Sequence, residues 1–570
     1  MAIKDGMLIG EMLVNDEVIT PEQLEMCLNE QKKSGKFICQ IIADLGFATE
    51  EKVLTVLSQQ LKIPYVRLKD KIIAKPVADR VPARFAVHYK LMPLEDKDGI
   101  LSIAVTDPLD LHTLDDIKLI LSCEVRPFLG GEKDIIEAIK KYYGIGADTI
   151  ESIMAETAAS GEPSPGALAA EEAEELVEDA SIIKFVNQII QQAYHDRATD
   201  IHIEPYEDEL KVRYRIDGVL YEAAIPPNIK YFQSAIISRI KIMSNLNIAE
   251  HRLPQDGRMK VKVGQEDLDL RVSILPTPYG ESVGIRLLFA KMLYSLEELG
   301  LADFDLKILN EMIKKPHGII LLTGPTGSGK TTTLYACLSK INNRELKILT
   351  IEDPIEYHLK GITQIQVHTK VNLTFANGLR SMLRHDPDVM MVGEIRDVET
   401  AEIAIRVALT GHLVFSTLHT NDAAGATTRL LDMGIEPFLV ASSVECVIAQ
   451  RLVRLICPKC KRPGKDAKVI LQELGMKEVP KDAEIYEGKG CESCKFTGYR
   501  GRTAIHEFLV LNEEIREMVL NHKSADQIRR KAVSLGMRTL RNAGIEKILK
   551  GMTTPGEVMR VTPKEDIPNM

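Results

Sequence analysis

One turn constrains this chain more than any other part of it. Gly324-Pro-Thr-Gly-Ser-Gly329-Lys330-Thr331 stands between an apolar run, Gly318 to Thr323, and a helix-forming run, Thr331 to Ile341. Glycines at these positions let backbone N–H groups turn inward around an anion, and the N-terminus of the following helix adds favourable electrostatics. The pattern predicts a cradle for nucleotide phosphates lined by Gly324, Pro325, Thr326, Gly327, Ser328, Gly329, Lys330, Thr331 and Thr332. In such a cradle the Lys330 ammonium reaches the β- and γ-phosphates and the Thr331 hydroxyl ligates magnesium. After about residue 300 the pattern runs strand–helix–strand–helix, which predicts a parallel sheet covered by helices.

Three further apolar strands end in polar groups. KILTIEDPIEY brings Glu352 and Asp353, with Glu356 just beyond; DPDVMMVGEIRD brings Glu394; GHLVFSTLHT brings His412, Thr417 and His419. In an open α/β sheet the ligand lies beyond the carboxyl ends of the strands. Glu394 is therefore read as the group that polarises the attacking water. One of Glu352, Asp353 and Glu356 is expected to bond the magnesium shell, the others to pair with arginines. His412 and His419 are read as sensors of the γ-phosphate, with a satisfied structural histidine as the alternative for each.

The chain has 570 residues, 45% apolar and 27% charged, which excludes a disordered chain or a small disulfide scaffold. At about 150 residues per domain, that length corresponds to roughly four domains. The net charge of −10 and the absence of Trp argue against a protein that grips nucleic acid by its phosphates. No apolar run approaches the ~20 residues of a membrane-spanning helix. The N-terminus, MAIKDGMLIGEMLVNDE, lacks an apolar export core, so a cytoplasmic protein is expected.

Residues 1–60 contain a degenerate helical repeat at an offset of 29, pairing Leu13 with Ile42, Leu24 with Val53 and Leu28 with Leu57. Thr20-Pro21-Glu22 and Thr49-Glu50-Glu51 are helix-start signals within it. Residues 61–145 read as a small α/β module, and 146–180, rich in Ala, Glu, Ser and Pro, as a flexible acidic linker. Residues 181–298 alternate apolar and polar residues between Asp-Gly turns, predicting a mostly antiparallel sheet, and 299–570 hold the phosphate loop.

Four of the nine cysteines form two C-x-x-C pairs, Cys457/Cys460 and Cys491/Cys494, separated by 30 residues. Two such pairs close a tetrahedral site with no open position, the pattern of a structural zinc. A redox dithiol is the alternative, although one pair would suffice for it. This subdomain is expected over about residues 450–505.

The boxes GPTGSGKTTT, TIEDPIEY, HDPDVMMVGEIRD and TGHLVFSTLHTNDA occur in this order, with DIHIEP, RYRIDG and RLPQDGR upstream and QRLVRLICPKC downstream. Together they resemble the type II secretion and type IV pilus assembly ATPases, the GspE/PilB family. The resemblance implies an α/β multidomain chain: a RecA-like P-loop core, a PAS-like α+β subdomain before it, and a homohexameric ring with ATP held between subunits. It also implies that arginines of the PAS-like subdomain reach the phosphates. Arg213 and Arg215 in RYRIDG, with Arg271 and Arg286 on later strands, are the matching positions. Exposed strand arginines paired with acids are the alternative.

Further implications are an inner-membrane platform protein as partner, a membrane-anchored protein docked by the N-terminal repeat, and action in pilus assembly or secretion at the cytoplasmic face of the inner membrane. Some members bind cyclic di-GMP with a similar repeat whose halves begin Arg-Leu-Gly. Here the halves begin Leu8-Ile9-Gly10 and Phe37-Ile38-Cys39, without the arginines, so docking is the preferred reading. A nucleic-acid translocase on a similar core and a retraction-type pilus motor are the competing functions.

Overall fold

The computed structural model describes residues 9–563 except 35–37, 98, 107–113, 115–116, 119–120, 122, 148, 151–179, 289–293, 477 and 481. Most of the expected linker lies outside these residues. The chain divides into two units, Met1–Leu288 and Phe289–Met570.

In the first unit, helices Ile9–Asn15, Pro21–Ser34, Ile38–Asp44 and Glu50–Leu61 alternate short and long, as the repeat predicts. Thr20 Oγ1 accepts the Gln23 N–H at 3.3 Å while Gln23 returns a bond to the Thr20 N–H at 2.9 Å, a reciprocal capping box. Thr49 caps Lys52 in the second half. The halves pack unequally: Leu13 and Ile42 are both fully buried, but Leu57 is 1% exposed and its repeat mate Leu28 is 40% exposed. Next comes a three-stranded sheet of β1 (Leu91–Lys97), β2 (Ile100–Val105) and β3 (Glu124–Leu129), with β1 antiparallel and β3 parallel to β2. The helix Glu132–Tyr143 packs on it. Residues 146–150, assigned to the linker on composition, hold buried Ala147, Thr149 and Ile150. Just ahead of them, the Ile145 N–H donates to Ala224 O at 2.8 Å.

Strands β4 (Ala198–Pro205), β5 (Leu210–Ile216), β6 (Val219–Glu222), β7 (Gln255–Val263), β8 (Glu266–Thr277) and β9 (Gly280–Leu288) form an antiparallel sheet in the order β6-β5-β4-β9-β8-β7. Burial alternates along them, because one face is packed and the other polar. Ile201, Val212, Tyr214, Val272 and Ile285 are buried, and Tyr214 donates to Ile189 O on the helix Ala180–His195 at 3.1 Å.

The second unit reads differently. In β10 (Gly318–Thr323), β13 (Val389–Val392) and β14 (Leu413–Leu418) every residue is buried, the signature of strands covered on both faces. Ile319 and Leu321 enter one core and Ile320 and Leu322 the other. Each such burial stabilises by roughly 1.5–3 kcal/mol. With β11 (Ile348–Glu352), β12 (Thr363–Gln366), β15 (Val444–Ile456) and β18 (Tyr499–Val510), the sheet order is β12-β11-β13-β14-β10-β15-β18. All neighbours are parallel except β15 and β18. A short hairpin, β16 (Lys461–Pro463) with β17 (Tyr486–Gly488), follows β15.

Candidate active site

Parallel register sets the site. Thr323 lies opposite Leu418 on one side and Ala449 on the other, so the carboxyl ends of β10, β14 and β15 meet. The chain then turns through Gly324, Gly327 and Gly329 at φ of 150°, 79° and 89°, values that a side chain would strain. Space forbids one too: a Cβ at Gly324 would stand 2.6 Å from Gln450 O, and one at Gly329 2.8 Å from Gln450 Nε2. Lys330 opens the helix Lys330–Ile341 and folds its ammonium back to Gly324 O at 2.8 Å and Pro325 O at 3.2 Å. The buried Ser328 Oγ has no hydrogen-bond partner, and none is found for Thr331 Oγ1 among the described residues. A loop with inward amides and unspent hydroxyls fits a phosphate and its magnesium.

Glu394 follows β13. Its backbone is fixed by Thr417, whose Oγ1 donates to Gly393 O at 2.8 Å and whose carbonyl accepts the Ile395 N–H. The Glu394 carboxylate pairs with Arg396 and lies 3.1 Å from His419 Nε2. Burial pushes this carboxyl up, but the Arg396 and His419 contacts outweigh it and hold the group below the ordinary carboxylate range.

His412 does not join this group. It precedes β14 at the opposite end, beside Gly318, and its Nδ1 bonds Val407 O at 3.0 Å and Thr410 Oγ1 at 3.2 Å. Seven residues of extended chain, at ~3.3 Å each, put it roughly 20 Å from His419. The expectation that both histidines face the phosphate loop is corrected by strand direction.

The acids after β11 diverge. Glu352 is buried and accepts from the Tyr335 hydroxyl, from Thr350 Oγ1 at 2.5 Å and from Gln364 Nε2 at 3.1 Å. Asp353 is exposed and acts electrostatically on Arg396. The Glu356 N–H donates to the Tyr335 hydroxyl at 3.3 Å.

In the first unit, register lines up Arg215, Asp200, Arg286, Arg271 and Arg258 across five strands on the polar face. Asp200 bridges Arg286 at 2.9 Å and Arg215 at 3.9 Å, and Arg213 pairs with Glu204 at 2.5 Å. Sequence reading missed Arg258, Arg396, Gln450 and Arg451. Arg258 and the 450–451 pair stand inside RLPQDGR and QRLVRLICPKC, and Arg396 is two residues past Glu394.

The four cysteine sulfurs lie within 4.8 Å of one another. Three of the separations are 3.8, 3.8 and 3.7 Å. A tetrahedron with Zn–S bonds of about 2.3 Å has edges of about 3.8 Å, so the donor set fits zinc. The Cys491 and Gly498 N–H groups donate to Cys494 Sγ at 3.1 and 3.3 Å, as expected around a thiolate. The basic residues nearby are engaged locally: Arg462 pairs with Glu487 and Lys461 sits over the Tyr486 ring.

A parallel sheet with this loop and this carboxylate defines a P-loop ATPase carrying a four-cysteine cluster. The family of type II/IV secretion system proteins matches residues 175–560, and the MshEN domain matches residues 61–149, the small α/β module. The chain is 42% identical over 563 residues to the type IV pilus assembly ATPase PilB of Myxococcus xanthus, covering 97% of this chain and 98% of that protein. It is 41% identical over 568 residues to the type II secretion system protein E of Xanthomonas campestris pv. campestris, covering 98% of each. The solved ATPase DotB of Legionella pneumophila shares the fold, with a TM-score of 0.50 at 22% identity over 66% of this chain and 95% of that one. The chain belongs to the type II/IV secretion system protein family and is an ATPase of type IV pilus assembly or type II secretion. Among the described residues, no helix is long and apolar enough to cross a membrane.

Proposed function

We propose that Glu394 is the general base of ATP hydrolysis, with Lys330 on the β- and γ-phosphates and His419 as a γ-phosphate sensor. The observation that carries this reading is the meeting of Glu394, His419 and the phosphate loop at one sheet edge. Glu394 is held ionised by Arg396, so it can take a proton from water at neutral pH. Thr331, with Asp353 or Glu356, would hold magnesium, which neutralises phosphate charge when bound. Glu352, hydrogen-bonded three times over, orients the end of β11 and the helix Lys330–Ile341 through Tyr335.

In this reading residues 299–570 are a RecA-like domain with a structural zinc, and 181–298 a PAS-like domain. The latter's Arg213, Arg215, Arg271 and Arg286 supply cations for the transferring phosphoryl group in a hexameric ring. The 1–60 repeat docks a membrane-anchored partner, and the ring works on a platform protein at the cytoplasmic face of the inner membrane. Identity over nearly the full length to both a pilus assembly ATPase and a secretion protein supports this assignment.

Two measurements test it. Phosphate release by the full chain should require ATP and magnesium and should be unmoved by single-stranded DNA; stimulation by DNA would favour a translocase. Arg396→Ala should shift the acid limb of the pH–rate profile to higher pH, because burial then acts on Glu394 with less opposition. An unmoved limb would count against Glu394 as the titrating base.

A further inference from the structure

Arg451 is a charged side chain in an unexpected place. It lies on β15 two residues past Ala449, the register partner of Thr323, and is only 8% exposed. Its Nη1 donates to Gln450 O at 3.0 Å and its Nη2 to Asn421 O at 2.6 Å. Among the described residues no carboxylate lies within salt-bridge distance of it. The acids that act on it through space, Glu507 and Asp422, are both spent on helix starts: Glu507 accepts the Ala423 and Leu540 N–H groups, and Asp422 the Gly425 N–H.

A buried cation whose carboxylates all lie beyond ion-pair distance is costly, and an anion that arrives beside it completes it. The loop beside Arg451 is where one arrives. A Cβ on Gly324 would stand 3.0 Å from its Nη1. Burial depresses the Lys330 ammonium, Glu394 opposes that, and the Arg451 charge adds to it. Lys330 thus feels one carboxylate, Glu394, which already pairs with Arg396, and one further cation, Arg451. Asn421, on the other side, belongs to the turn that follows His419. That turn is tied to β10 by Thr420 Oγ1 and Thr323 Oγ1 at 2.7 Å.

We propose that Arg451 is a positioning residue of the ATP site: it ties the turn after His419 to the floor of the phosphate loop and takes its counter-charge from the bound phosphates. The proposal rests on the reading that the Gly324–Thr331 loop holds the triphosphate. Its two parts separate in two variants of the full chain. Arg451→Met removes the charge. Affinity for magnesium-ATP should fall about tenfold or more, and the rise in Tm on adding magnesium-ATP should shrink, while the Tm without nucleotide stays level or increases. Arg451→Lys keeps a charge but cannot fork between two carbonyls. Its affinity should stay within about threefold of the parent while kcat drops about tenfold or more. The proposal is overturned if Arg451→Met binds ATP like the parent, if it lowers the nucleotide-free Tm with affinity intact, or if Arg451→Lys has parental kcat. Lys330→Ala distinguishes the two readings. If it binds ATP normally, the loop assignment fails; if it does not, and Arg451→Met does, only the Arg451 proposal fails.

Discussion

Glu394→Gln should bind ATP with the parent's affinity and turn it over roughly 10²–10⁴ times more slowly, the range by which positioned acid–base groups accelerate proton transfer. The substitution changes little else. Glutamine has the shape of glutamate, its amide oxygen still accepts from Arg396, and Gly393 and Thr417 still fix its backbone. What it cannot do is receive a proton. The loss therefore falls in kcat, while Kd, measured by calorimetry on the unhydrolysed complex, stays within a few-fold. Release of the negative charge beside Lys330 favours a bound polyphosphate, so any change in Kd is toward tighter binding. Unchanged phosphate release refutes the assignment of the base. Lost binding moves Glu394 to the nucleotide-holding groups instead.

How far the site can be read in one dimension depends on whether its parts are local. The phosphate loop is local: strand, turn and helix are contiguous, and their residue types are dictated by positive φ and by the close approach of Gln450. Glu394 and His419 are nearly so, since each ends a short apolar strand. Direction along a strand is harder to read. His412 and His419 share one sequence box, yet β14 carries them to opposite edges of the sheet.

Register is harder still. Arg451 stands 120 residues beyond the loop it adjoins, and only the pairing of Thr323 with Ala449 brings them together. The same holds for the first unit's polar face. Arg213 and Arg215 were recognisable from a motif, but the row that Arg215, Arg271 and Arg286 share with Asp200 and Arg258 exists only through four antiparallel pairings. Composition misled at residues 146–150, where small residues that suit a linker also suit a tight fit: a Cβ on Gly146 would fall 2.4 Å from the Phe185 ring.

The four-cysteine cluster is the other place where one atom decides a large effect. The two turns that carry the cysteines, Cys457–Cys460 and Cys491–Cys494, have little else to fold around. The two strands between them are three residues each, too short to hold a hairpin in water. Leu471, Leu474 and Ile485 join the main core. The turn carrying Cys491 and Cys494 is closed at its base by backbone contact, since a Cβ on Gly488 would stand 2.1 Å from Gly498 O. Zinc bound by four thiolates contributes about 10–16 kcal/mol in isolated zinc-finger peptides, far more than this hairpin can supply. Cys494→Ser, which removes a buried thiolate fed by two backbone N–H donors, should reduce bound zinc from about one per chain to none, by elemental analysis. It should also open residues 457–498 to limited proteolysis, while the β10–β14 region stays protected. Thiol reagents should label the parent's Cys457, Cys460, Cys491 and Cys494 only after chelation; a pair that cycles between thiol and disulfide without metal would instead support the redox alternative. Full zinc retention by Cys494→Ser, or a parent that holds none and resists protease equally, removes the metal from the account and leaves the knuckle to be explained by packing alone.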